Sequence, residues 1–238
     1  MKQLCILICM LFCATNLVAQ ERELLPVDWS QIRKEVEDHP QKVKELVMKL
    51  SAVDLDTTLT WQDRILAFYG QSFLTNDEED ALRSQMIQQE NQGSFDACVA
   101  TARKMLAVNP LNLDALITAV NALLTMAEDS ANQDSTLTEE AKTYGLRAMR
   151  IFNTIAMTGD GSHDAPFYVT KVSDEYCFMR HYLDLWKYKG QAATACCDII
   201  TLDESSSYYD QPTIHFEITR VYELERMMFE GKKKEKKR

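Results

Sequence analysis

The stretch Thr158 to Tyr176, TGDGSHDAPFYVTKVSDEY, gathers Asp160, His163, Asp164, Asp174 and Glu175, with Cys177 and His181 just beyond it. Residues of these types can bind a cation, activate a nucleophile or run acid–base chemistry, and each option makes demands that the sequence can be held to. Asp160, Ser162 and Asp164 have the spacing of the first three ligands of a calcium loop, but that loop needs glycine at its sixth position and a bidentate glutamate at its twelfth. Ala165 and Lys171 stand there instead. Cys177 and His181, four apart, would share a helix face, and with His163 they still fall short of a closed tetrahedral zinc site. Paired with His163 or His181 as a nucleophile, Cys177 lacks a strained elbow and an orienting third group. Asp160 with Asp174 or Glu175 can do the acid–base work of a carboxylate hydrolase if the fold brings them together. No metal ligand set, cofactor or catalytic residue is assigned on these grounds. The candidate binding residues are Asp160, Gly161, His163, Asp174, Glu175 and Tyr176.

A structural reading of the same residues covers more of them. Gly159 and Gly161 can end a helix and redirect the chain. Asp160 can close a turn on the backbone amide two residues on. Phe167, Val169 and Lys171 alternate with Tyr168, Thr170 and Val172, the period of a strand. Asp174 and Glu175 then fall in a bend at its far end, with the Tyr176 ring packed. A strand of that length spans roughly 20 Å at about 3.3 Å per residue. Asp160 and Asp174 are therefore too far apart for a direct acid–base pair unless the chain folds back after Val172.

The flanking elements have to place these residues. Upstream, Asp28 is the predicted cap of a helix carrying Trp29, Ile32 and Val36. Val43, Leu46, Val47 and Leu50 continue an apolar stripe beyond Pro40. Thr60 caps a helix that buries Trp61, Ile65, Phe68 and Tyr69, with Gly70 as its stop. Phe95, Cys98, Val99, Ala102, Met105 and Leu106 share one helical face, Asn109-Pro110 breaks the helix, and Leu113, Leu116, Ile117, Val120, Leu123 and Leu124 form the next face. This pattern, residues 93–127, resembles the second half of one tetratricopeptide repeat and the first half of another, without the large aromatic of its first helix. Downstream, AATACCDIITLD and PTIHFEITRVYEL are rich in β-branched residues and read as strands. The fold class is α+β: a mostly helical region with tetratricopeptide-like hairpins over 20–157, and a small β-rich region over 158–230 with an antiparallel sheet packed on the helices.

The chain opens MKQLCILICMLFCATNLVAQ. One basic residue, an apolar run and a small residue at Ala19 read as a signal peptide over 1–19, so the protein is expected to be exported, with no transmembrane segment after cleavage. The phenylalanine before Cys13 is a poor context for lipidation. Cys98, Cys177, Cys196 and Cys197 remain, too few for a disulfide scaffold; they read as buried small hydrophobes, or as one bridge from Cys177 to Cys196 or Cys197. The formal charge is −10. Setting aside Lys2 gives −11, and the last eight residues, GKKKEKKR, hold six bases and one acid, which leaves −16 on the body. Such a body repels nucleic acid. Residues 231–238 read as a disordered basic tail, with the option of touching an anionic lipid or polyanion.

Three segments, DTTLTWQDRILAFYG, NPLNLDAL and TGDGSHDAPFYVTKVSDEY, resemble in order and spacing a family of exported Gram-negative bacterial proteins catalogued as domain of unknown function 4919. The late segment is the most specific, with Gly159-Asp160-Gly161, a hydrophobic strand and Asp174-Glu175-Tyr176; in the early one Phe68-Tyr69-Gly70 replaces the frequent pair of tyrosines before glycine. The resemblance implies export to the periplasm or extracellular space and a mixed helical fold, and brings no activity. Three functions stand as expectations: a module binding a protein or peptide of the cell envelope, a carboxylate hydrolase using Asp160, Asp174 and Glu175, or an envelope accessory protein whose basic tail touches anionic surfaces.

Overall fold

Asp28 opens the first helix as predicted, its carboxylate accepting hydrogen bonds from the amides of Ser30 (3.0 Å) and Gln31 (3.1 Å). The computed structural model of the protein describes residues 23–54, 56–129 and 135–235, with side chains through residue 230. The signal-like segment 1–19 and the last three residues lie outside the described residues. After α1 (Trp29–Asp38), Pro40 takes the first position of α2 (Pro40–Ser51), where a missing N–H costs nothing. A reciprocal Thr60–Asp63 capping box starts α3 (Trp61–Thr75). Gly70 does not stop this helix. It lies inside α3, and a Cβ there would stand 2.8 Å from Val43 Cγ1, so the missing side chain lets α3 close onto α2. The helix ends instead at Asn76, in the left-handed region (φ 46°). Trp61, expected to be buried, is 38% exposed with Arg64 over its ring.

A 3₁₀ turn (Glu78–Leu82) leads to α4 (Arg83–Asn91), α5 (Phe95–Val108), α6 (Leu113–Asp129) and α7 (Ser135–Ala156). Helices pack in chain order, α2 on α3, α4 on α5, α5 on α6 and α6 on α7. Asn109 breaks α5 from α6 as the Asn-Pro pair predicts.

The remainder is strands and helices together. β1 (Phe167–Tyr168), β2 (Tyr188–Ala193), β3 (Cys197–Leu202) and β4 (Thr213–Glu217) form one sheet in the order β1-β4-β3-β2. β2–β3 and β3–β4 are antiparallel, but β1 runs parallel to β4, so the sheet is mixed and the expected all-antiparallel pairing is corrected. The cause is α8 (Val172–His181), which follows β1 and carries the chain away before the other strands form. The predicted strand Phe167–Val172 is thus cut to two residues. Asp174 accepts from the amides of Thr170 and Lys171, both at 3.1 Å, and this helix-start signal overrides the alternation. A turn in which the Thr194 amide donates to Cys197 O at 2.8 Å divides AATACCDIITLD between two strands. Glu217 accepts from the Thr219 amide at 3.2 Å and turns the predicted last strand into α9 (Thr219–Glu235). Gly231–Glu235, read as disordered, continue that helix; lysine is a good helix former and cations favour a helix C-terminus.

One core joins both parts. Phe178 of α8 stands at its centre, with ring centroids 4.8 Å from Phe167, 6.1 Å from Phe152 and 6.4 Å from Phe216. Leu116 and Leu123 are fully buried in it. The four described cysteines are free thiols. No helix among the described residues is long and apolar enough to cross a membrane.

Candidate functional site

The middle and late motif-bearing segments meet around one buried carboxylate, Glu79, which belongs to neither. Glu79 Oε1 accepts from Asn109 Nδ2 at 2.6 Å, Asn112 Nδ2 at 3.2 Å and Lys171 Nζ at 2.8 Å. Lys171 also reaches Asp80 at 2.7 Å and Asp77 at 3.2 Å. The same asparagines hold the α5–α6 corner: Asn109 accepts from the Leu111 amide and Asn112 from the Ala115 amide, each at 3.0 Å. From the early segment, Tyr69 donates to the Tyr168 carbonyl at 2.8 Å. Burial by itself favours the neutral amine of Lys171, but Asp77, Asp80 and Glu79 outweigh it and hold the ammonium well above the usual lysine range. Burial likewise opposes ionisation of Glu79, yet Lys171 and the Asn109 bond keep its carboxyl below the ordinary value. Asp77 is pushed up to about 6, because its burial exceeds the pull of Lys171. An ammonium occupies the centre of this carboxylate cluster and ties the Asp77–Asp80 turn and, through Glu79, the α5–α6 corner to the chain between β1 and α8. The hub is therefore structural.

Asp174 belongs to the hub's edge. Besides the two amides, its Oδ2 accepts from Thr170 Oγ1 at 2.8 Å, and burial, only partly offset by Lys171 and Thr170, pushes it up to about 7. Asp160 is exposed and accepts from the Ser162 amide at 2.8 Å, the predicted turn. Gly161 has φ +81°, and its carbonyl accepts from the His215 amide and the Tyr209 hydroxyl, both at 3.0 Å. The exposed His163 ring lies 5.6 Å from that of His215. Asp160, Gly161 and His163 thus stand beside β4, while Asp174 serves α8. Cys177 and His181 are not joined: the thiol faces Asp114 Oδ1 at 3.7 Å and the imidazole packs on Trp186, centroids 5.6 Å apart. Burial, with Asp114 beside it, drives the Cys177 thiol well up, the reverse of what a nucleophile needs. Among the described residues no group of three or more His, Cys, Asp or Glu is placed to hold a metal ion.

Glu175 is different. It is fully buried, and neither of its oxygens has a hydrogen-bond donor from another residue. Its neighbour is Asp198 of β3, 4% exposed, with one oxygen also unpartnered. The other oxygen of Asp198 accepts from Gln191 of β2, and Gln191 in turn accepts from the Tyr176 hydroxyl. The Tyr176 ring of α8 and the Tyr188 ring of β2 lie 5.8 Å apart. Burial first, then Asp198 and Asp174, push the Glu175 carboxyl up to about 9. A proton on Glu175 makes one member of the pair a donor and the other an acceptor, which resolves two buried like charges. Of the predicted site residues, the fold therefore unites Glu175 and Tyr176 with Asp198 and Gln191, which the sequence reading did not single out. Asp198 was within reach: with a period of two it shares a face with Ile200 and Leu202, a lone acid among core residues.

Because Glu175 holds its proton more tightly folded than unfolded, its contribution to stability is complete below its ordinary value near 4.5 and is lost as pH rises towards 9. Glu175→Gln removes that dependence. Its expected gain is about 2–4 kcal/mol at pH 7.5, shrinking to less than about 1 kcal/mol at pH 5, since each tenfold change in proton affinity is worth about 1.36 kcal/mol. Urea unfolding at the two pH values measures it, and a gain that does not change with pH contradicts the protonated pair.

An α+β protein in which a helical array is joined to a four-stranded mixed sheet, with the buried carboxyls of Glu175 and Asp198 side by side between α8 and β3, is the class these observations define. The family model described as Domain of unknown function (DUF4919) matches residues 30–227, and the chain belongs to that family. No curated protein and no solved structure matches it.

Proposed function

We propose that the protein is an exported module of the Gram-negative cell envelope, periplasmic or extracellular, that binds an extended protein or peptide segment along β2. The observation that carries this reading is the state of that strand. β2 is outermost in the sheet, and every residue in it is exposed except the half-buried Gly190. An edge of that kind offers backbone donors and acceptors to an added strand. The irregular pairing at Tyr188–Gly190 and the charge of Lys189 blunt its first half, as native edges are commonly blunted; Gln191 to Ala193 carry no such guard. Tyr176 and Tyr188 beside it, with Arg180 over the Tyr176 ring at 5.6 Å, supply the aromatic and cationic contacts that anchor a bound chain. The signal-like first residues support the export half of the reading.

The test is a photo-reactive residue at Ala192 in native envelope extract. A discrete adduct that disappears when Gln191→Pro is added supports strand addition; an adduct indifferent to that proline, or none, refutes it. A second reading, a carboxylate hydrolase, draws on the displaced acidity of Glu175 beside Asp198, a pairing suited to one acid and one base. It moves the acid–base pair away from Asp160 and Asp174, whose oxygens hold backbone amides. It requires hydrolysis of some ester or glycoside that Glu175→Gln abolishes in a folded protein.

A further inference from the structure

Helix α9 is fastened at its base and exposed over Met227–Phe229. Arg220, 1% exposed, donates to the Ser72 carbonyl at 2.6 Å and to Asn76 Oδ1 at 3.0 Å, and its guanidinium lies 3.9 Å from the centroid of the Phe73 ring. Val221 and Leu224 beside it are buried. Helical spacing continues that inward face at Met228, yet Met228 is 59% exposed, with Met227 at 43% and Phe229 at 64%. The helix runs past the body that its inner face was built to cover. Directly beyond stand Lys232, Lys233, Lys234, Lys236, Lys237 and Arg238. A solvated basic end has no use for three large exposed apolar side chains, which are a liability unless something covers them.

We propose that α9 from Met227 onward docks on an anionic lipid surface. The positive charge of the sequence beyond Phe229 matches that of anionic headgroups, and methionine and phenylalanine suit the interfacial layer. Both halves of the segment are then used. A nucleic acid would use the bases alone. A second copy joined end to end would cover the apolar residues but set two basic runs against each other. The acidic remainder of the chain is repelled by the same surface, so the contact is confined to this end of the helix.

Co-sedimentation with vesicles tests this on the whole protein. It should bind vesicles of phosphatidylglycerol mixed with phosphatidylcholine, ignore phosphatidylcholine alone, and be released by salt. Replacing Lys232, Lys233 and Lys234 together with glutamine should weaken partitioning roughly a hundredfold, and Phe229→Glu about tenfold, both with unchanged melting temperature. Equal binding to both vesicle types, or binding to neither, overturns the proposal. So does a self-association in solution that Phe229→Glu abolishes, because it makes a second copy the occupant.

Discussion

Lys171→Met is expected to cost about 3–5 kcal/mol at neutral pH, the usual consequence of removing one partner from a buried ionic cluster. Methionine fills much of the same volume, so the loss reports charge and hydrogen bonding rather than a cavity. Without the ammonium, Glu79, whose side chain is 0% exposed, is left facing Asp77 and Asp80, and only the two asparagine amides remain to it. The effect should shrink as pH falls. Asp77 already titrates near 6 in the intact protein, and losing Lys171 lets its neighbours take up protons more readily, relieving the repulsion. Urea unfolding at pH 7.5 and pH 5 gives both numbers. A loss under about 1 kcal/mol at pH 7.5 makes the cluster a surface ornament.

The second large effect is expected at Gly159. A methyl group there would sit 2.5 Å from the Ala165 carbonyl oxygen and closer still to that of Pro166. These are backbone atoms, and the Ala165 oxygen also accepts from the amides of Asp160 (2.9 Å) and Gly161 (3.0 Å). Gly159→Ala cannot be absorbed by a rotamer change; it should cost about 3 kcal/mol or more, at or beyond the upper end of overpacking effects. Gly93 is the control. It has φ +69° but nothing within 4 Å of where a methyl group would stand, so Gly93→Ala carries conformational strain alone, about 1 kcal/mol. Equal melting temperatures for the two variants would refute the close approach at Gly159.

What the sequence disclosed was local. Asp28, Thr60 and the Asn109-Pro110 break act within a few residues, and each falls where its chemistry predicts. The apolar faces of α5 and α6 repeat at helical spacing and are core. Pairing was not legible: nothing near Phe167 announces a parallel partner at Phe216, because that contact depends on α8 leaving the sheet in between. Lys171 shows the limit most clearly. Its place on the Phe167–Val169 face marks it as inward-facing, but the three acids that make its burial tolerable come from a turn far upstream. Glu175 is similar. An acid next to a capping aspartate looks like a surface bend until β3 brings Asp198 beside it, and burial there with Asp198 pushes its carboxyl up to about 9.

The central claim is that residues of the middle and late segments converge with the Asp77–Asp80 turn on one ionic hub that holds helices to sheet. A double-mutant cycle between Glu79 and Lys171 tests it most directly. Lys171→Met should destabilise the protein by several kcal/mol and Glu79→Met by less, because Lys171 keeps Asp77 and Asp80; the double variant should lose less than their sum by about 2 kcal/mol, since Glu79→Met removes the carboxylate that Lys171→Met leaves buried without its cation. Single losses that add within about 0.5 kcal/mol would contradict the account, because the two residues would then not be acting as one unit.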